Sequence, residues 1–428
     1  MKTAPQRKMM PSGVDWIGDV PEGWNVTRFG YHATVKANLV EVDDYGSFPQ
    51  ISPENIEKNT GRLLAHGTVE DSGVISGNHL FKQGQILYSK IRPALNKVTI
   101  APYPGLCCAD MYPIETDEDT RFMVYLMLAD CFVKQTETVA NMRIKMPKIN
   151  QGELSRIRIA LPPLDEQKRI AAKLDRLCGR VDELAENIKG EIAALQEYRK
   201  SLITECVTKG LNPKAKMKPS GVDWIGKVPT EWNVEKVKYH YSVITGNGFP
   251  VELQGVEDGD YPVCKASDIS TKGKFVESTK NWITKDIAEL LGFNVIPRGS
   301  VIFPKIGEAM KKNSRKIVAV DCCVDNNCQG VFSPDMDEGY SYYAFTCIDM
   351  KLFDNHGPIP CLNNQKLKDY LMPIPPANEQ REIAAFLDKR CAVIDAKIAE
   401  RQKQLEKLGE YRSSVIYEYV TGKREVLA

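Results

Sequence analysis

The sequence predicts an α+β protein: two similar α/β domains separated by two long antiparallel helices that form an intramolecular coiled coil, built by internal duplication with pseudo-twofold symmetry. Three observations carry this prediction. Pro11 to Val26 (PSGVDWIGDVPEGWNV) returns as Pro219 to Val234 (PSGVDWIGKVPTEWNV), identical at 13 of 16 positions at an offset of 208. Leu161 to Asp175 (LPPLDEQKRIAAKLD) returns as Ile374 to Asp388 (IPPANEQREIAAFLD) at an offset of 213. That second match continues without a gap to Tyr198-Arg199 against Tyr411-Arg412, and to Val207-Thr208 against Val420-Thr421. Finally, each second repeat opens a long run of apolar residues at helical spacing. The period is too long for a solenoid, so the chain is a duplicated domain. The expected boundaries are 1–160 for the first domain with its N-terminal box, 161–210 for the first long helix, 211–373 for the second domain with the repeated box, and 374–428 for the second helix.

The box holds two tryptophans eight residues apart, separated by Gly and Pro, which excludes a helix or a long strand. Trp16, Trp24, Trp224 and Trp232 are expected to anchor the chain to its core. A partner surface is the second reading, favoured by duplication, because two identical patches suit two copies of one partner.

The stretches between box and helix, Thr27 to Ala160 and Glu235 to Pro373, look unrelated until they are aligned at an offset of 215. Lys90-Ile91 then meets Lys305-Ile306, Lys97 meets Lys312, and Cys107-Cys108-Ala109-Asp110 meets Cys322-Cys323-Val324-Asp325. The two stretches are expected to share a fold whose sequences have diverged, one scaffold carrying two specificities. Gln85 to Ser89 and Ser300 to Phe303 follow a Gly and read as buried strands, and Arg121 to Val133 as an apolar helix.

In the long helices, Asp165 and Asn378 follow Pro-Pro and are expected N-caps, with Glu166 and Glu379 in the first turn, where the helix dipole favours negative charge. Ile170, Leu174, Leu177, Val181, Leu184, Ile188, Ile192, Leu195, Tyr198 and Leu202 form one apolar stripe. Ile383, Leu387, Ile394, Ile398, Leu405, Leu408, Tyr411 and Val415 form its counterpart. Gly210 and Gly422 are placed to end the helices. A helix from Asp165 to Thr208 is roughly 65 Å long at 1.5 Å per residue. One small domain cannot cover such a stripe, so each helix is expected to pair with the other.

The composition is that of a globular chain: of 428 residues, 43% are hydrophobic and 26% charged, with net charge +1. This excludes a histone-like protein but leaves a local basic face open. No segment approaches the ~20 apolar residues of a membrane helix, and the polar N-terminus shows no secretory signal. Twelve cysteines then read as reduced thiols, and the expected location is cytoplasmic. There is no GxxxxGK[ST] loop, no polar-Pro-Pro-aromatic quartet of the amino-methyltransferase kind, no paired metal spacing among the five histidines and no CxxC. The Cys-Cys pairs read as core, and no catalytic or metal residue is assigned.

Basic residues cluster locally: Lys305, Lys311, Lys312, Arg315 and Lys316 in the second stretch, and Lys90, Arg92 and Lys97, then Arg143, Lys145 and Lys148, in the first. A short basic run is more often a solvated face than a nucleic-acid site, but matched runs shift that balance. Thr27 to Ala160 carries fifteen basic and fifteen acidic residues, so any nucleic-acid contact must come from one face or need help from a partner.

The repeated Pro-Pro-x-x-Glu-Gln helix starts, the helices that follow them, the GVDWIGxVPxxW boxes and Gly84-Gln85-Ile86-Leu87 to Arg92-Pro93 together resemble the specificity subunit of type I restriction–modification systems, over essentially the whole chain. The resemblance implies two target-recognition domains, each reading half of a bipartite DNA sequence, with the helices setting the gap. Two methyltransferase subunits would dock on the duplicated scaffold through Trp16, Trp224, Glu166, Gln167, Glu379, Gln380, Tyr198, Arg199, Tyr411 and Arg412. The cations above, with Asn363, Asn364 and Lys366, become candidate DNA contacts. The chain itself would be non-catalytic and hold no cofactor: S-adenosylmethionine, ATP and Mg2+ would belong to the methyltransferase and endonuclease partners. A structural adaptor carrying duplicated binding domains on a coiled-coil spacer is the alternative. An enzyme with an unrecognised site ranks beside it, below the DNA reading.

Overall fold

A computed structural model describes residues 7–141, 147–276 and 279–426. The chain divides into two compact units: Met1–Gly190 with Arg401–Ala428, and Glu191–Glu400. Each contains one box, one variable domain, the N-terminal part of one long helix and the C-terminal part of the other. Among the described residues no helix is long and apolar enough to cross a membrane.

In unit 1 an antiparallel sheet runs in the order Ala33–Val35, Met111–Thr116, Ile86–Ser89, Val98–Ile100. A second sheet has the order Leu39–Val40, Asn78–Phe81, Gly105–Cys107, Gln50–Ile51, with only its last pair parallel. Strand Ile86–Ser89 is buried throughout, as its Ile-Leu-Tyr run predicts, and Ser89 is buried with it. The pleat sends successive side chains to opposite faces. Ile86 and Tyr88 pack with helix Thr120–Leu128, whereas Leu87 packs with Ile51, Phe81 and Cys107 of the second sheet.

Unit 2 repeats this arrangement. Ser242–Thr245, Cys328–Phe332, Val301–Pro304 and Lys316–Ile317 form the antiparallel sheet, and Trp282–Ile283, Tyr261–Cys264 and Cys323–Val324 the other, again ending in a parallel pair. Val301 and Phe303 face one core, Ile302 the other. The faint alignment at an offset of 215 therefore marks a shared topology. The expected helix over Arg121 to Val133 is two helices, Thr120–Leu128 and Asp130–Ala140, broken at the extended Ala129. Asp119 caps the first by accepting the Phe122 N–H at 3.0 Å, and Asp337 caps Glu338–Thr346 by accepting the Tyr340 N–H at 2.8 Å.

The long helices are Leu164–Lys209 and Ala377–Val420. They begin two residues earlier than those N-caps imply, so Asp165 and Asn378 lie inside the first turn. The first helical hydrogen bonds are accepted by the preceding proline carbonyls, with the Gln167 N–H on Pro163 O and the Gln380 N–H on Pro376 O, both at 3.0 Å. Gly210 and Gly422 follow the helix ends at φ +72°. The box lies over each end: a Cβ on Gly422 would sit 2.3 Å from Pro21 Cγ, and one on Gly210 would sit 3.1 Å from Trp232 Cζ2. Trp24 and Trp232 are the buried anchors, whereas Trp16 is half-exposed. The stripe is buried only in part. Ile170, Leu174 and Val181 are covered in unit 1, and Ile383, Leu387, Ile394 and Ile398 in unit 2, but Leu184 and Tyr198 are more than half exposed. Burial is concentrated where a variable domain, a box and the other helix all reach the same turns.

Candidate nucleic-acid interface

In unit 1 the chain leaves the buried strand at Ser89 and meets the segment before helix Gln151–Ser155. Ile91 bridges Lys148 in antiparallel fashion, the Ile149 N–H donates to Lys90 O at 2.9 Å, and the Arg92 N–H donates to Pro147 O at 2.7 Å. This pairing brings Lys90, Arg92 and Lys148 together at one end of the sheet. Arg92 sits at φ +46°, just before Pro93, and is exposed. The Lys90 ammonium lies 5.2 Å from the Tyr112 ring centroid, within cation–π range. Nearby His79 is buried, and its pKa is lowered by that burial and then by the Lys90 charge. Lys97 is not part of this cluster: its ammonium donates to Pro53 O at 2.5 Å and holds a loop. Arg143 and Lys145 lie outside the described residues.

Unit 2 builds the same pairing with other residues. Ile306 bridges Cys361, the Leu362 N–H donates to Lys305 O at 2.9 Å, and the Gly307 N–H donates to Pro360 O at 2.7 Å. Cys361 stands 213 positions after Lys148, so the same structural place holds a thiol in one unit and an ammonium in the other. Lys305, Lys311, Lys312 and Lys366 gather here; Lys311 pairs with Glu308 at 2.6 Å, and Lys366 donates to Asp354 O at 3.1 Å. Asn363 caps helix Asn364–Lys368, accepting the Gln365 and Lys366 N–H groups. The Asn364 amide oxygen is buried without a hydrogen-bond partner.

Two cations of the basic run are corrected by the structure. Lys316 is fully buried and donates to Lys272 O and Phe275 O. Arg315 is 6% exposed and donates to Asn313 O, Asn313 Oδ1 and Ile348 O; its burial lowers its pKa to about 10. Both are framework: Lys316 lies opposite Ile302 in the strand pair that closes the sheet, and Arg315, just before that strand, is held by the carbonyls of Asn313 and Ile348. Among the described residues no group of His, Cys, Asp and Glu is arranged to hold a metal, and all twelve cysteines are free thiols.

Residues 26–194 and 231–407 each match the family described as the type I restriction modification DNA specificity domain. The chain belongs to that family. It is 37% identical over 189 residues to the type I restriction enzyme EcoDI specificity subunit of Escherichia coli, a match covering 44% of this chain and 42% of that protein. It is 23% identical over 431 residues to a putative type I restriction enzyme MjaX specificity subunit of Methanocaldococcus jannaschii, covering 96% of each. Its fold is that of a solved chain from a study of complex assembly and conformational transition of the type I R-M system, with a TM-score of 0.68 at 17% identity, over 95% of this chain and 99% of that one.

In this specificity-domain chain most of the residues expected to dock partners have internal work. Gln167 is 1% exposed; its Nε2 donates to Glu118 Oε2 at 2.6 Å and Pro162 O at 2.9 Å, and its Oε1 accepts the Asp119 N–H at 3.0 Å. Gln380 does the same in unit 2, donating to Pro375 O at 2.8 Å and accepting the Asp337 N–H at 2.8 Å. The Glu-Gln motif thus ties each long helix to the cap of the domain helix beside it. Glu166 pairs with Arg7 at 2.6 Å, and Glu379 accepts the Trp232 indole N–H at 3.1 Å, so both hold a box.

Arg412 is 7% exposed, pairs with Asp182 and donates to Asn59 O and Thr60 O at 2.8 Å, while Arg199 pairs with Asp395 at 2.9 Å. Asp182 and Asp395 are themselves 213 apart. Both members of each Asp–Arg pair thus recur at the same offset as the helix repeat, a signal present in the sequence outside the motifs. So do Asp175 and Asp388, which accept the Tyr125 and Tyr343 hydroxyls at 2.9 and 2.7 Å. Trp224 stacks on Tyr370 at 5.8 Å and is half-buried. Of the ten residues only Trp16, Tyr198 and Tyr411 present large exposed rings.

Proposed function

We propose that this chain is the sequence-specific DNA-recognition subunit of a type I restriction–modification complex. The observation that carries the reading is that the DNA specificity family matches twice, once on each unit, over the same sheet topology. Each variable domain reads one half of a bipartite target, and the long helices set the unspecified gap. One domain discriminating at ~1–3 kcal/mol per mismatched base pair competes poorly against a genome, whereas two domains on one chain combine their discrimination. Lys90, Arg92, Lys148, Lys305, Lys311, Lys312 and Lys366 contact phosphates or base edges from the loop pairings at the sheet ends. Asn363 and Asn364 act chiefly by shaping the second loop.

The chain is non-catalytic and works in the cytoplasm. Two methyltransferase subunits bring S-adenosylmethionine, and the endonuclease subunits bring ATP and Mg2+. They dock on the duplicated framework, with Trp16, Tyr198 and Tyr411 as the exposed rings available to them. Tight specific binding requires the methyltransferase, since the variable domain is charge-neutral overall; equally tight specific binding by the purified chain alone counts against this. The test is methylation-sensitive sequencing of cells with and without this gene and its methyltransferase partner. A bipartite methylated motif that depends on this chain is expected, and replacing residues 27–160 should change one half of it only. A motif that is continuous, or independent of this chain, refutes the proposal.

A further inference from the structure

Strand Asn25–Arg28 pairs with Arg158–Leu161, and this register sets Arg28 directly opposite Arg158. The next pair along is hydrogen-bonded, with the Phe29 N–H donating to Ile157 O at 2.8 Å. Arg28 and Arg158 therefore occupy a non-hydrogen-bonded site, the kind that holds facing side chains closest. Like charges so placed destabilise a sheet. Both side chains are exposed, and so is Arg156, which ends helix Gln151–Ser155. Among the described residues none of the three has a carboxylate partner; Arg158 reaches only Val26 O, at 3.4 Å.

Unit 2 provides an internal control. Its strands Asn233–Lys236 and Leu371–Ile374 pair in the same register, with the Val237 N–H on Tyr370 O at 2.9 Å. There Lys236 faces Leu371, and Asp369 stands where unit 1 has Arg156. Asp369 pairs with Lys236 at 3.1 Å and Lys238 at 2.8 Å. The fold thus forms equally well with the charges balanced, and the three guanidinium groups of unit 1 are not needed to build it.

We infer that Arg28, Arg156 and Arg158 form a phosphate-binding surface that grips the DNA backbone beside the half-site read by unit 1; this rests on the DNA-recognition reading above. Guanidinium groups match phosphate oxygens bidentately. The surface is also joined to the loop cluster: five helical residues, roughly 8 Å at 1.5 Å each, separate the Lys148 segment from Arg156. A track of cations suits a polyphosphate strand. Exposed Tyr31 adds an aromatic ring, on a turn whose Gly30 lies against Ser155.

The test transplants the balanced arrangement of unit 2, as Arg156→Asp with Arg158→Leu, into the full chain assembled with its methyltransferase. Binding to target and unrelated duplexes is measured across a salt series. At about 0.9 per phosphate contact, the slope of log K against log salt should become shallower by roughly 2 to 3, since the new aspartate also neutralises Arg28. Affinity should fall alike on both duplexes, with the methylated sequence unchanged and thermal stability not reduced. Arg28→Gln, which leaves the helix end intact, should lower the slope by roughly 0.9. Unchanged slopes in both variants overturn the inference, and unchanged slopes with weakened methyltransferase assembly reassign the patch to an acidic protein surface. A wild-type complex that shows neither salt-dependent binding nor a bipartite motif fails the DNA reading itself.

Discussion

Replacing Gln167 by Leu separates a framework role from a docking role. Leu keeps most of the volume and removes all three hydrogen bonds, to Glu118 Oε2, Pro162 O and the Asp119 N–H. A neutral hydrogen bond contributes about 0.5–1.5 kcal/mol net and one to a charged group about 1.5–3. The three together come to about 2.5–6 kcal/mol. The Glu118 side chain is 19% exposed and also bonds His32 Nδ1 at 2.8 Å, so it recovers part of its loss. A cost of about 3–4 kcal/mol is expected, read as a lower urea midpoint of the purified chain. Gln167→Glu should cost at least as much: it keeps the acceptor for Asp119 but loses both donors and sets a carboxylate against Glu118. Assembly with the methyltransferase proposed above should then fall only as far as the fold does. A loss under about 0.5 kcal/mol, the range of ordinary surface changes, with clearly weakened assembly refutes the framework assignment and makes Gln167 a docking residue.

Three further outcomes follow from named contacts. Lys316→Met, which strands the carbonyls of Lys272 and Phe275, should cost about 1–3 kcal/mol in denaturation while leaving the salt slope of DNA binding unchanged. Lys312→Gln, at an exposed position, should do the opposite. Gly210→Ala and Gly422→Ala both force a side chain to φ +72°, at about 1–2 kcal/mol, but only the second meets the Pro21 ring at 2.3 Å. Gly422→Ala should therefore be the worse by about a further 1–3 kcal/mol in the same measurement. Lys238, Gln365 and Lys236 hold the Asp369 carboxylate well below its ordinary value of 3.8. A depressed folded pKa stabilises above the unfolded value and loses that effect as pH falls through the folded one. The melting-temperature advantage of the native chain over Asp369→Asn should thus be full above pH 3.8 and shrink below it; an advantage that grows on acidification refutes the pairing.

The repeats were legible because they are written in residues whose chemistry is position-bound. Pro-Pro before a helix, Gly at a positive φ and a buried Trp each tolerate few substitutes, so both copies keep them. The strands Ile86–Ser89 and Val301–Pro304 were legible because a strand buried on both faces is largely apolar. The helix break at Ala129 left no comparable mark, since Ala is a good helix former and tertiary packing overrode propensity there. The burial of Lys316 was hidden for a similar reason: in a run of cations, composition does not say which side chains a two-residue strand turns inward. The internal hydrogen bonds of Gln167 and Gln380 were not legible because a motif repeated twice suggests a repeated partner. A repeated internal contact produces the same signal.

The distribution of what is kept and what has drifted follows from energetics. Gln167 and Gln380 are buried against the N–H groups of Asp119 and Asp337, the buried Tyr125 and Tyr343 hydroxyls donate to Asp175 and Asp388, and the buried Arg412 and half-buried Arg199 pair with the more exposed Asp182 and Asp395. Removing one partner of a buried pair leaves the other unsatisfied, at about 1–3 kcal/mol or more for a charge, a large part of a domain's margin. Such positions cannot change singly, so both copies retain them. Lys148 against Cys361, and Arg156 against Asp369, lie on loops and helix ends where substitutions change stability little. Those positions are free to diverge, and divergence there alters the surface without altering the scaffold that presents it. A duplicated chain under this constraint keeps one framework and acquires two different faces, which is the property a reader of two unlike half-sites requires.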